Sequence, residues 1–168
     1  MKLQAFLPLV TYPDASADAI AAHAVAIAAR LDAALHARVM IPDFPPVSNT
    51  LSRLLFDLPK VIEDTEAASR GRGAHLLARV REAAAAAGIE ATAGEVTAPL
   101  AGLADAAAAQ ARYHDVGLVG WEAGNAASQM TAEAVIFGAG RPAGLLAELW
   151  GIAATHHVAG GGGGGPAP

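Results

Sequence analysis

The sequence contains no cysteine and few charged residues, and these shortages exclude several classes of protein. With no cysteine among 168 residues, disulfide bonds and thiol catalysis are excluded, and the chain suits a reducing compartment. The formal net charge is −5, which argues against a nucleic-acid-binding protein. No run of about 18 uncharged apolar residues is present, so a membrane span is not expected. Gln4 and Pro8 interrupt the first apolar run, so a signal peptide is not expected either.

The hydrophobic content is high enough for one folded domain. Hydrophobic residues make up 54% of the chain, which argues against disorder for most of it. Roughly a quarter of the residues are alanine, well above average usage, so the true core is smaller than that percentage suggests. The final GGGGGGPAP has low complexity. We therefore expect one domain over residues 1–149 and a linker with a disordered glycine-rich tail over residues 150–168.

Short apolar runs alternate with stretches of helical periodicity along this domain. The first helix is predicted from an apolar stripe between Ile20 and Leu35, with Ser16 as its N-cap. Further helices are predicted over residues 61–87, from residue 99 to 111 with Thr97 as N-cap, and over residues 131–137. Gly71 and Gly73 weaken the helix over residues 61–87, and the alternative is that its first third forms a separate segment. Strands are predicted over residues 3–10, 37–41, 89–96, 115–120 and 143–149.

Strands joined by helical crossovers form a parallel sheet that is covered on both faces. The predicted fold is therefore α/β, a doubly wound five-stranded parallel sheet with helices on both faces. The long connection over residues 42–59 contains several prolines and one apolar turn that suits a short helix. In an open sheet of this kind, ligands bind beyond the carboxyl ends of the strands. We expect the site there, near residues 11–14, 41–43, 96–97 and 120–128.

Several other residues were weighed as sites, and a structural role is favoured for each. His23 lies beside the apolar stripe of the first helix and suits a helix border better than a ligand contact. His114 and Asp115 are adjacent, so in a strand they would point apart and form no dyad. His156 and His157 lack the further ligands that a structural zinc site needs. The remaining candidates are an arginine cluster that suits a solvated helix face, formed by Arg70, Arg72, Arg79 and Arg81, and a turn before the last strand, formed by Arg141 and Pro142.

Three segments resemble the universal stress protein family. They are the opening strand with SADAIAAHAVAIAARLDAALHARV, then ARYHDVGLVG before a glycine loop, and EAVIFGAGRP leading into the last strand. The resemblance covers about residues 1–147, the size of one domain. It implies an adenine nucleotide alpha hydrolase-like, Rossmann-like fold, a cytoplasmic role in stress survival, and dimers through the last strand. Since many members carry two such domains, THHVA near the end also resembles the start of a second domain.

The resemblance makes ATP binding an open question. Members that bind ATP carry an aspartate at the end of the first strand, where this chain has Thr11. They also carry Gly-x-x-Gly followed by Gly-Ser or Gly-Thr, a phosphate cradle. Here Gly120 fits the first position, Gly124 comes one residue late, and the final pair is missing. The ligand-site residues implied by the resemblance are Thr11, Ile41, Gly120, Gly124 and Ser128.

The sequence predicts a stress-response binding or regulatory domain without its own catalysis. No catalytic or metal-binding residues are assigned, and no cofactor is expected. One alternative is a universal stress protein that binds ATP and hydrolyses it slowly; another is an inactive, truncated half of a tandem protein. We expect a homodimer through the edge strand, because an unpaired edge favours self-association. A protein partner or a small-molecule ligand is also expected, but neither nucleic acid nor membrane.

Overall fold

The computed structural model describes residues 1–45 and 57–147, which form one α/β unit. Each predicted strand and helix in these ranges is present, although several bounds differ. In chain order, with a 3-10 turn at Leu100–Gly102 before α3, the elements are β1 (Leu3–Val10), α1 (Asp18–Arg30), β2 (Ala33–Asp43), α2 (Leu58–Ala87), β3 (Ala91–Pro99), α3 (Leu103–Ala111), β4 (Val116–Trp121), α4 (Ala126–Gly138) and β5 (Ala143–Ala147).

The five strands form a single parallel sheet in the order β3-β2-β1-β4-β5. β1 pairs with β2 from Leu3 opposite Ala33 to Val10 opposite Met40, and it contacts β4 through Ala5 and Phe6. The chain winds outward from β1 to β3, then returns to β4 on the other side of β1. This confirms the predicted doubly wound fold, and it places the switch point at the carboxyl ends of β1 and β4.

The sheet buries a different hydrophobic core on each face. On one face, Leu7, Leu9 and Val39 pack against the apolar sides of α1 and α2. On the other face, Phe6 and Met40 pack against α3 and α4, whose inward residues are mostly alanine. The alternation of buried side chains along β1 and β2 produces this division, since successive strand residues point to opposite faces.

The first helix, α1, is shorter than the apolar periodicity of its sequence predicted. α1 ends at Arg30, and Asp32 adopts a positive φ of 49°, which turns the chain directly into β2. Leu35 therefore lies buried in β2 and not on the helix, while Leu31 is half exposed. Ser16 is not the N-cap, which is Ala17; the Ser16 hydroxyl instead accepts a hydrogen bond from the Val10 N–H at 3.1 Å.

α2 continues through both of its glycines without a break. A Cβ at Gly73 would lie 3.1 Å from Val39 Cγ2 and 3.2 Å from Ile41 Cδ1, so the absence of a side chain lets the helix approach β2 closely. Gly71 faces open space, because a Cβ there would meet nothing within 4 Å. The separate first segment that these glycines suggested is therefore not observed.

In the second half of the domain, the structure differs from the prediction mainly in where the helices begin. β3 continues through Thr97 to Pro99, so Thr97 is a strand residue and α3 starts later than predicted. α4 starts earlier, at Ala126, because the Asn125 side chain caps it by accepting the Ser128 N–H at 3.0 Å. Several predictions lie outside the described residues: the short helix within residues 46–56, the end of the last strand at residues 148–149, the tail over residues 150–168, and His156 with His157.

Candidate functional site

A cavity of about 350 Å³ lies at the carboxyl ends of β1 and β2, on the face covered by α3 and α4. Its floor is formed by Val10 and Met40, and its walls come from the turn after β1, the 3-10 turn and α3, and the first turns of α4. This is the position at which open α/β sheets bind ligands. The volume is at the small end of the range for small-molecule sites.

The walls of this cavity are almost entirely apolar. The side chains that line it include Leu103, Met130 and four alanines, and Tyr12 is the only one among them with an ionisable group. The two threonines, Thr11 and Thr131, supply the remaining side-chain hydroxyls. A highly charged ligand would therefore find no compensating side-chain charge on the lining.

Thr11 lines the cavity, but its hydroxyl is occupied on the other side. The hydroxyl donates to the Met40 carbonyl at 2.8 Å and lies 2.6 Å from the Ser69 hydroxyl of α2, and both Thr11 and Ser69 are fully buried. The Thr11 carbonyl also accepts a hydrogen bond from Arg72 Nε at 2.8 Å. These contacts tie the end of β1 to α2, so Thr11 offers the cavity no free polar side chain.

Of the other residues implied by the resemblance, none lines the cavity. Ile41 is fully buried in the core beneath α1 and α2, and its neighbour Met40 faces the cavity instead. Gly120 and Ser128 are brought together, because the Ser128 hydroxyl donates to the Gly120 carbonyl at 3.0 Å. Gly124 adopts a φ of +80° in the turn between β4 and α4, which favours glycine there. Gly120, Gly124 and Ser128 therefore lie at the end of β4, in the β4–α4 loop and in the first turn of α4, respectively.

The sequence analysis included Glu122 only as part of the loop over residues 120–128 and gave it no role of its own, yet its side chain is 4% exposed there. Its Oε2 accepts the Ala17 N–H at 2.7 Å, which caps α1 from a distant part of the chain. Its Oε1 is buried without a hydrogen-bond partner among the described residues. A charged residue directly after a buried strand was the available signal, but nothing in the sequence shows that it would turn inward.

A second loop contact holds the two sides of the switch point together. Asn125 Nδ2 donates to the carbonyls of Asp14 and Ala15 at 3.4 and 3.5 Å, and Gln129 Nε2 donates to the Glu122 carbonyl at 3.1 Å. The loop after β4 is thus fastened to the loop after β1.

The histidines at the opposite end of the sheet form a separate polar row. His36 Nε2 donates to Gln4 Oε1, and His36 Nδ1 lies 2.8 Å from the Thr92 hydroxyl. The His114 ring stacks on Phe6 at 4.9 Å and lies 5.0 Å from the His36 ring. Burial, followed by the nearby His114 and Arg38, lowers the pKa of His36. This row lies at the amino ends of the strands, away from the cavity.

The remaining candidates have structural contacts. Asp115 Oδ2 accepts the Gln4 N–H at 2.8 Å and forms no dyad with His114. Arg79 pairs with Glu82 at 2.7 Å, as expected for a solvated helix face, and Arg141 Nε donates to the Arg112 carbonyl at 3.1 Å in the turn before β5. His23 lies half-buried on α1. Within the described residues, no helix is both long and apolar enough to cross a membrane.

Comparison with solved structures identifies the fold. UspA, a universal stress protein of Lactobacillus plantarum, matches with a TM-score of 0.57 and 20% identity, over 87% of this chain and 99% of that chain. The chain has the universal stress protein fold. A universal stress protein in complex with cAMP matches at a TM-score of 0.54 and 16% identity, over 88% of this chain and 98% of that one. A family member from Burkholderia pseudomallei matches at 0.54 and 16%, over 84% and 94% of the two chains.

The likeness to universal stress proteins lies in the fold and not in a strong sequence match. No protein-family model and no curated protein matches the sequence. The predicted resemblance is therefore confirmed in its implied architecture, the five-stranded parallel sheet with helices on both faces. At these sequence identities, the ligand and the activity of a relative are not transferred to this chain.

Proposed function

We propose that this chain is a non-catalytic binding domain with a regulatory role in stress response, and that its ligand occupies the cavity beside β1 and β2. The observation that supports this most directly is the cavity itself, an apolar space of about 350 Å³ at the carboxyl ends of the strands. Ligand sites of open α/β domains occupy this position. The fold of the universal stress proteins supports the same assignment.

The lining favours a ligand with a flat, weakly charged group. Met130 and Leu100 are partly exposed at the rim, and small alanines leave room between α3 and α4. One structural relative was solved in complex with cAMP. We therefore propose a ligand of the nucleoside class, in which a neutral ring system enters the cavity.

A non-catalytic role follows from the same lining. The hydroxyl of Thr11 is engaged by Met40 and Ser69, and among the described residues that line the walls Tyr12 alone has an ionisable side chain. General acid–base chemistry needs a titratable group within hydrogen-bond reach of the reacting atom. The described cavity walls offer no such pair of groups, so binding accounts for the site better than turnover does.

The test is a titration with adenosine, followed by backbone amide chemical shifts. We expect shifts confined to Val10–Pro13, the start of α3 and the first turns of α4. Ala104→Phe would fill the cavity from α3 and should weaken binding at least about tenfold. Ala109→Phe adds the same ring to an exposed position of α3 that does not line the cavity, so it should leave affinity unchanged.

Two outcomes would contradict the proposal. Either shifts elsewhere on the surface, or equal affinity in the Ala104→Phe and Ala109→Phe variants, would show that the cavity is not the binding site. Micromolar affinity for ATP with measurable hydrolysis would favour the alternative, an ATP-binding domain. That alternative has one observation in its favour, because the first turn of α4 lines the cavity and its N–H groups suit an anion.

We also propose a homodimer through β5. This strand ends the sheet beyond β4, and its Leu145 side chain is 49% exposed. An open strand edge with an exposed apolar side chain favours self-association. Light scattering at high concentration should give the mass of two chains, and Leu145→Lys should reduce it to that of one. A monomeric mass for the unaltered protein would contradict the proposal.

A further inference from the structure

We propose that Glu122 is a specificity-determining residue that excludes phosphate groups from the β4 side of the crevice. The inference rests on the proposed ligand cavity, and it implies that the ligand carries no phosphate group. Glu122 follows β4 directly, and its side chain turns inward between the start of α1 and Gly120. Its carboxylate occupies the place where a bound anion would otherwise lie.

The first step is the contact with α1. The N-terminus of a helix carries partial positive charge and unpaired N–H groups, and it therefore attracts anions. α1 has 13 residues, and no side chain of its own first turn caps it. The Glu122 carboxylate accepts the Ala17 N–H at 2.7 Å and so serves as the anion for this helix end.

The second step is the free oxygen of the same carboxylate. Glu122 is 4% exposed, and Oε1 has no hydrogen-bond partner among the described residues. A Cβ on Gly120 would lie 3.3 Å from this Oε1 and 3.4 Å from Ser128 Oγ. The space above Gly120, which a phosphate cradle would use, is therefore filled by a carboxylate oxygen of the protein itself.

The third step is electrostatic. A phosphate placed against Gly120 and Ser128 would meet a buried negative charge, and like charges in a buried site repel strongly. The loop cannot easily retreat, because Asn125 and Gln129 fasten it to neighbouring segments. A neutral ligand in the apolar cavity meets no such opposition. The carboxylate at position 122 therefore separates neutral from phosphorylated ligands.

The experiment compares the unaltered protein with Glu122→Gln, using adenosine and inorganic tripolyphosphate as separate probes. The glutamine oxygen can still accept the Ala17 N–H, so the fold should persist, which a thermal melt verifies. We expect tripolyphosphate affinity to rise at least about tenfold in the variant, with new amide shifts at Ala17, Gly120 and Ser128. ATP affinity should rise in parallel, while adenosine affinity should stay within about twofold.

Glu133→Gln is the matched control, since it removes the same charge from an exposed position on α4 and should change neither affinity. Tripolyphosphate binding to the unaltered protein with shifts at Gly120, or an equal gain in both variants, would overturn the role of Glu122. No gain in Glu122→Gln would overturn it as well. Failure of adenosine to bind would count against the nucleoside cavity alone, because tripolyphosphate reports on position 122 independently.

Discussion

The two faces of the sheet meet the end of β1 in opposite ways. On the face that α1 and α2 cover, the Thr11 hydroxyl is hydrogen-bonded to the Ser69 hydroxyl. Gly73 lets the 30-residue α2 come into contact with Val39 and Ile41. On the other face, the nine-residue α3 begins only after a 3-10 turn, and a cavity of about 350 Å³ remains. The comparison teaches that binding space here depends on the length and side-chain size of the covering helices.

The largest expected effect comes from removing a packed side chain on the face that α1 and α2 cover. Leu76 of α2 is 1% exposed, so Leu76→Ala should lower the free energy of unfolding by about 2–5 kcal/mol. Met130 at the cavity rim is 62% exposed, and Met130→Ala should change that free energy by about 0.5 kcal/mol or less. Urea unfolding followed by circular dichroism measures both. Similar losses in the two variants would remove the contrast between the faces.

A smaller effect is expected from adding volume to the face that α1 and α2 cover. Gly73→Val would place methyl groups against Val39 and Ile41 and should cost about 1–3 kcal/mol of stability, because a packed region resists overfilling. Gly71→Val makes the same change where a Cβ meets nothing within 4 Å, and it should be slightly stabilising, since valine favours a helix more than glycine does. Thermal melts compare the pair. A stable Gly73→Val variant would show that α2 can move away from the sheet.

The smallest effect concerns the polar row of His36 and His114 at the amino ends of the strands. Burial, His114 and Arg38 outweigh Glu90 and lower the pKa of His36, so folding favours its neutral form. The unfolded chain then binds more protons, and this contribution to stability is complete above the ordinary pKa of 6.5. It falls as the pH drops from 6.5 towards the lowered pKa. Chemical unfolding across this range should show that slope, and His36→Gln should flatten it; an unchanged slope in the variant would contradict the assignment.

Much of the fold could be predicted from the sequence, because periodicity reports burial directly. The run from Leu3 to Val10 predicted β1 with its observed bounds, and the alternation of runs predicted the parallel sheet. The bounds that were wrong depend on contacts distant in sequence. Leu35 continues the helical stripe of α1, yet it pairs with Ala91 in the sheet after the turn at Asp32. Tertiary pairing overrides local periodicity there.

Less of the candidate site could be predicted, since its chemistry depends on where side chains turn. The switch point located the region, and Thr11 lines the cavity. The alanines of α3 and α4 carry no functional signal, yet their small size leaves the space open. Nor does the sequence show which way the Glu122 side chain points, because the regular alternation of side chains ends with the strand.

The Glu122–Ala17 hydrogen bond also has a consequence for the order of folding. The two residues are 105 positions apart, so during synthesis the start of α1 leaves the ribosome long before its capping carboxylate exists. Until β4 takes its place beside β1, this helix end has only solvent as a partner. The cap of α1 is therefore supplied by the second half of the chain. α1 reaches its final stability only after the last third of the described chain has been synthesised.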